Sequence, residues 1–226
     1  MFAFVVGLVL FSGAVIWLYR AKQADIAACA EALGLAGVIE KITRRGQTAE
    51  GLAFWEQLRA RGALAGCGAE IWERQVRRAM DTKYRKSRGA TLTVLELKPA
   101  RPTSCSIRLQ PVGVMDLIEQ FMQQTPESVP TGDSPFDGAF KVYTDDATLV
   151  PAVLTTELRR ELLALRLAVA GDVASLRSGN FAASLTLGSF EVSPDRVAFS
   201  IFGTPSRKIG EQLRLAAPLL ARLSEA

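Results

Sequence analysis

FKVYTDDATLVPAVLTTELRREL, residues 140–162, holds the change of period that decides the fold class. Phe140 to Thr144 alternate as a strand does, whereas Leu158, Leu162 and Leu165 repeat at helical spacing. Between them stands an acidic pair, Asp145 and Asp146. One reading makes this pair a ligand for Mg²⁺ or Ca²⁺, together with Asp133 or Asp137. The run DSPFDGAFKVYTDD does not match an EF-hand loop, however. The preferred reading is local structure. An aspartate before Ala-Thr-Leu-Val accepts a free backbone N–H, so Asp146 is predicted to cap one helix and Thr155 the next. Glu157 then falls in a first turn, where the helix dipole favours a carboxylate.

The pattern continues on both sides. Downstream, FAASLTL and VAFSIF read as strands near a Ser193-Pro194-Asp195 turn. Ser206 to Leu223 reads as an amphipathic helix with Ile209, Leu213 and Leu220 on one side and a kink at Pro218. Upstream, FDGAFKVYT reads as a strand from Phe136 onward. CSIRLQ, residues 105–110, sets Cys105, Ile107 and Leu109 against Ser106, Arg108 and Gln110. VMDLIEQFM, residues 114–122, fits a short helix, and ATLTVLEL, residues 90–97, a strand. Residues 69–80 fit either period, and the strand reading is preferred. Val38-Ile39 and Ala53-Phe54-Trp55 suggest short strands. Residues 23–33 form a helix with Ile26, Ala30 and Leu33 on one face and a stop at Gly34. GALAGCG, residues 62–68, lacks the Lys-Ser/Thr ending of a phosphate loop and reads as a flexible turn or a place of close packing. These elements do not alternate as βαβ units, so the chain is predicted to be α+β, with a mixed, mainly antiparallel sheet packed with helices.

At the N-terminus, residues 2–19 form 18 positions without a charge. As a helix they span roughly 27 Å, the thickness of a bilayer core. Trp17 and Tyr19 suit the membrane interface, and Arg20 and Lys22 follow as a cytoplasmic flank. A cleaved signal would carry its basic residues before the apolar run, not after it. The expected organisation is therefore a transmembrane anchor over 1–22, a basic α+β region over 23–123, a Pro-rich loop or linker over 124–135 and a C-terminal α+β region over 136–226 packed with the first. The expected location is a bacterial inner membrane, single-pass, with the C-terminal domain cytoplasmic.

Composition excludes much chemistry. Among 226 residues there is no histidine, so Ser-His-Asp triads, Cys-His pairs and His-containing zinc sites are impossible. Cys29, Cys67 and Cys105 are far apart and odd in number, which suits a reducing compartment. No catalytic, metal or cofactor site is predicted. The net charge of +4 is unevenly spread, with the basic excess between Arg20 and Arg88. Within it, Arg74, Arg77, Arg78, Lys83, Arg85, Lys86 and Arg88 stand against the single acid Asp81. A solvated face is the simpler reading of this run. Contact with anionic lipid headgroups is the functional one. Nucleic acid is the weaker partner reading, because Tyr84 is the only aromatic residue in the run and the sequence shows no known nucleic-acid-binding module.

Phe140, Val142, Thr144, Asp145 or Asp146, Leu154 and Thr155 also resemble the marker segment of a bacterial domain-of-unknown-function family of single-pass membrane proteins. There a Phe-x-Val-x-Ser/Thr-x-Asp segment leads into a Leu-Thr-Pro helix start, although Thr156 stands here where that family often has proline. The resemblance implies no activity and no catalytic residues. The resulting expectation is a membrane-anchored cytoplasmic interaction or accessory protein without catalytic activity, touching lipid through its anchor and a protein partner through its domain. Two alternatives are an anionic-lipid-sensing peripheral domain and a carboxylate/metal-dependent hydrolase.

Overall fold

The computed structural model describes residues 2–48, 51–76, 90–99, 102, 106–112, 127–170 and 187–224. Helix α1 (Phe2–Leu33) leads into β1 (Ala36–Thr48), β2 (Gly51–Leu64), β3 (Cys67–Val76), β4 (Ala90–Lys98) and β5 (Ile107–Pro111). Then follow α2 (Ser134–Asp137), β6 (Phe140–Thr144), a 3-10 turn (Ala147–Leu149) running into α3 (Val150–Val153), and α4 (Thr156–Ala170). Strands β7 (Leu187–Ser193) and β8 (Arg196–Phe202) and helix α5 (Arg207–Leu223) complete the described chain. The strands form one antiparallel sheet in the order β1-β2-β3-β4-β8-β7-β5-β6. Strands from 23–123 and from 136–226 are thus hydrogen-bonded to each other, through β4 and β8 and again through β5, β6 and β7.

The expected transmembrane helix has to be corrected. Among the described residues, no helix is long and apolar enough to cross a membrane. The helix does not end at residue 22 either. It runs on to Leu33, and its described part carries Arg20, Lys22, Asp25 and Glu31. Its second half belongs to the domain core, where Ile26, Cys29, Ala30 and Leu33 are buried. The stop at Gly34 is a left-handed cap. Gly34 has φ +82°, its N–H donates to Glu31 O, and Leu35 N–H donates to Ala30 O, which satisfies two terminal carbonyls.

The alternation of each strand sorts its residues onto two faces. Ile71, Leu95, Phe199 and Phe190 lie side by side across β3, β4, β8 and β7 on one face. The rings of Phe190 and Phe199 stack at 4.3 Å, and Ile26, Leu162, Leu213 and Leu220 from the helices belong to the same core. Helices α1, α4 and α5 therefore cover this face. On the other face, the described residues include a small apolar cluster of Trp72, Leu92, Val94 and Ala198, with Phe202 packed against it.

Two other expectations change. The strand predicted from Phe136 begins at Phe140, because Asp133 accepts a hydrogen bond from Phe136 N–H and caps the short helix α2. The two short strands predicted near Val38 and Phe54 are parts of one long hairpin, β1–β2. The GALAGCG turn is the two-residue Ala65-Gly66 connection of β2 and β3, with positive φ at both residues, as a type I′ hairpin requires. Residues 114–122, 181–186 and Cys105 lie outside the described residues. The tail helix α5 continues through Pro218 and is capped by Ser206, whose Oγ accepts from Ile209 N–H at 3.3 Å. Ser206→Ala should lower stability by about 1 kcal/mol, read as a lower urea midpoint at unchanged slope.

Candidate functional site

The face of the sheet away from the helices is the candidate site. One cross-strand row runs Arg61, Glu70, Glu96, Ala198, Glu191, Arg108 and Tyr143 over β2, β3, β4, β8, β7, β5 and β6. The next row runs Arg59, Trp72, Val94 and Ser200. A groove of about 760 Å³ lies over these rows. Trp72, Val94 and Ala198 give it apolar surface, and Ser189 and Ser200 add hydroxyls. Its charged lining is balanced, with Arg74, Arg108 and Arg196 against Glu96, Asp145 and Glu191. That volume falls within the range of ordinary ligand clefts, roughly 300–1,000 Å³.

Local chemistry holds the groove in shape. A register shift between Leu187 and Phe190 breaks the β7–β8 ladder. Ser200 repairs the gap, since its Oγ accepts from Ser189 N–H at 2.8 Å and donates to Ser189 O at 3.3 Å. Glu191 lies between two arginines, 3.9 Å from Arg74 and 3.6 Å from Arg196. Both contacts exceed hydrogen-bond length, so neither guanidinium is locked by this carboxylate. The Arg108 guanidinium sits 5.1 Å over the Tyr143 ring at one end of the groove. At the other end, Arg59 sits 5.3 Å over the Trp72 ring.

Beside the groove lies a buried ionic cluster. Glu70 is only 4 % exposed and Arg59 7 %. Glu70 Oε2 pairs with Arg59, and its Oε1 with Arg61 at 2.9 Å and Lys98 at 3.4 Å. Burial alone would raise the Glu70 carboxyl. The charges of Arg59, Arg61 and Lys98 outweigh burial and hold it below its ordinary value.

The sequence-predicted residues are scattered. Trp17, Tyr19, Arg20 and Lys22 are exposed on α1, with Lys41 Nζ 5.7 Å over the Tyr19 ring and Lys22 Nζ 3.9 Å from Glu73. Arg74 lines the groove, while Arg77, Arg78, Lys83, Arg85, Lys86 and Arg88 lie outside the described residues. Asp146 Oδ1 accepts from Thr148 Oγ1 at 2.6 Å and from Thr148 N–H at 2.9 Å, and these hydrogen bonds hold its carboxyl below the ordinary range. Thr155 Oγ1 accepts from Leu158 N–H at 3.3 Å. Asp145 reaches the groove instead. Asp137 is taken up by Thr131 and Gly132, and Asp133 caps α2. No group of three metal-ligating side chains occurs among the described residues.

Sequence reading missed Trp72, Tyr143, Glu191 and Arg196 as parts of one site, although Arg108 and Trp72 stood on recognised alternating runs. No family model matches the chain, and no curated protein matches it. Among solved structures, the chain is similar to the mycobacterial trehalose monomycolate transport factor A, with 11 % identity and a TM-score of 0.47 over 90 % of this chain and 96 % of that one.

Proposed function

We propose that this chain is a non-catalytic accessory protein that holds a segment of a protein partner in the groove on the open sheet face. The observation that carries the reading is the groove's lining, an apolar strip between three arginines and three carboxylates. An anionic lipid surface would meet Glu96, Asp145 and Glu191 as repulsion. A polypeptide supplies both signs of charge and an apolar side chain, so it complements the whole lining. The test is a photo-crosslinking residue placed at Arg196, on the rim, or at Leu215, exposed on α5. Crosslinking in cells should give a discrete protein adduct from position 196 and none from 215. Glu96→Lys should abolish the adduct while leaving the circular dichroism spectrum unchanged. Equal adducts from both positions, or an adduct indifferent to Glu96→Lys, would sink the reading.

The same proposal places the chain at the cytoplasmic face of a bacterial inner membrane. Its support is the exposed surface of Ile16, Trp17, Leu18 and Tyr19 next to Arg20 and Lys22, a pairing of aromatic and basic residues suited to an interface. Cell fractionation decides the placement. Complete recovery away from membranes at low salt would overturn it.

A further inference from the structure

The charges that line the groove are not equally committed to partners. Glu191 has two, Arg74 at 3.9 Å and Arg196 at 3.6 Å. Arg108 stands directly opposite Glu191 in the β5–β7 ladder, yet its guanidinium turns to the Tyr143 ring, and no ion pair holds it among the described residues. Glu96 is the matching case of opposite sign. Its neighbour across the β3–β4 ladder is another carboxylate, Glu70, which already takes Arg59, Arg61 and Lys98. Like charges directly opposite each other are unfavourable. The Glu96 side chain has neither a hydrogen bond nor an ion pair among the described residues, and both it and Arg108 are half-buried. Asp145, the remaining carboxylate of the lining, is exposed to water and accepts from Thr144 Oγ1 at 3.5 Å. One half-buried carboxylate and one half-buried guanidinium are thus left for a ligand to match.

Register fixes how far apart these two groups lie. Glu96, Ala198, Glu191 and Arg108 are successive members of one row across β4, β8, β7 and β5. Three strand spacings of about 4.8 Å separate its ends by roughly 14 Å. No single amino acid or zwitterionic headgroup holds its two charges so far apart. An extended polypeptide rises about 3.3 Å per residue, so positions i and i+4 lie about 13 Å apart on one face, with i+2 between them. Between the two ends of the row stands Ala198, its smallest side chain, clustered with Val94 and Trp72. The middle position of such a segment therefore meets apolar surface.

We infer that the groove selects an extended segment crossing the strands, with a basic residue against Glu96, an acidic residue four positions away against Arg108 and an apolar residue midway. This rests on the partner reading above and gives that partner's chemistry. Glu96 and Arg108 are then the residues that determine specificity. A cation seated on Glu96 offsets the repulsion from Glu70, and a carboxylate on Arg108 completes a pair that Glu191 does not make. Glu191, between them, stays matched by Arg74 and Arg196. The segment can run in either direction, because exchanging the two ends of the motif only reverses the chain across the sheet.

The test pans a displayed peptide library, five varied positions between Gly-Ser flanks, on immobilised full-length protein. The wild-type chain should enrich opposite charges at the first and fifth positions and an apolar residue at the third. Synthetic peptides of that pattern should bind roughly tenfold or more tightly than the same residues with the charges two positions apart. Each charge reversal should redirect selection rather than abolish it. Glu96→Lys leaves two cations in the row and should enrich an acidic residue at both ends, whereas Arg108→Glu should enrich a basic residue at both. A merely structural role for either residue would produce no such switch. Ala198→Trp, which fills the middle of the row, should abolish enrichment while the circular dichroism spectrum stays unchanged. If that variant does not fold, the two reversals decide alone. Groove-dependent peptides without this pattern, or a pattern that ignores both reversals, overturn the inference and leave the partner reading standing. Enrichment indifferent to Ala198→Trp, or no enrichment at all, overturns both.

Discussion

Glu70→Leu should lower stability by about 3–5 kcal/mol, the cost of leaving a buried charge unpaired. Arg59 is the residue left behind. It is almost fully buried, stacked on Trp72, and its Nε has no hydrogen-bond partner among the described residues. Arg61 and Lys98 are about half exposed and return to water more readily. Replacing both buried partners, Arg59→Met with Glu70→Leu, should recover most of the loss, because neither charge then has to be desolvated. Urea titrations of the three variants provide the cycle. The pH dependence follows from the depressed carboxyl of Glu70. A group with a lowered folded pKa contributes its stability above the unfolded value and loses it as pH falls through the folded one. The gap between wild type and Glu70→Gln should therefore be constant from pH 6 to 8 and close as pH falls below 4.5. A gap that widens in acid would show that the cluster is not what holds this region.

Gly210→Val should cost about 3 kcal/mol or more, at the upper end of overpacking effects. Helix α5 crosses α1 at Gly210, where a Cβ would meet Cys29 O at 2.2 Å and the Ala32 Cβ at 2.9 Å. The first obstacle is backbone, so no rotamer change relieves it. In an ordinary helix interior, Gly→Ala gains about 1 kcal/mol from helix propensity. Here Gly210→Ala should destabilise, a reversal of sign. Adding Ala32→Gly should rescue little, because it removes the second obstacle and leaves the first. Cys29 offers an internal probe of the crossing. Burial pushes its thiol up to about 11, so it should resist thiol reagents until α1 and α5 separate. Gly210→Val should bring its labelling to lower urea concentration.

The elements of this fold were largely legible where the period was clean. Leu158, Leu162 and Leu165 repeat at helical spacing and are all buried in α4. Ile107 and Leu109 alternate with Arg108, and the strand and its inward face follow. Legibility failed where local pattern and global context differ. The alternation of β1 and β2 is diluted by glycine and by charged residues on both faces, so a long hairpin looked like two fragments. Residues 134–137 become helical through an aspartate cap that a strand-like composition hid. The N-terminal helix misled for another reason. Its apolar run is uniform, whereas the residues that tie it to the core, from Ile26 onward, lie beyond that run.

The site was less legible because it is assembled from six strands. In isolation, Arg108 or Glu191 is only the polar half of an alternating run. Their meaning comes from register, which places Glu191 beside Arg108 and Ala198 across neighbours as distant in sequence as β5 and β8. A one-residue slip would send every one of these side chains to the helix face. No single-strand pattern encodes such long-range pairings.

The pairing of β4 with β8 also sets the order in which the chain can assemble during synthesis. Leu97 finds its partner at Val197, one hundred positions later. At about 5–20 residues per second, translation of that interval takes roughly 5–20 s. Strands β1 to β4 can meander together as they emerge, since each pairs with its sequence neighbour. Throughout that interval β4 waits with an unsatisfied edge, its Leu95 and Leu97 lacking the neighbours that later bury them. A nascent chain stalled before residue 197 would carry that edge in solution, where strand-to-strand aggregation starts. Register alone thus gives this sheet an open edge at β4 for as long as the interval takes to be translated.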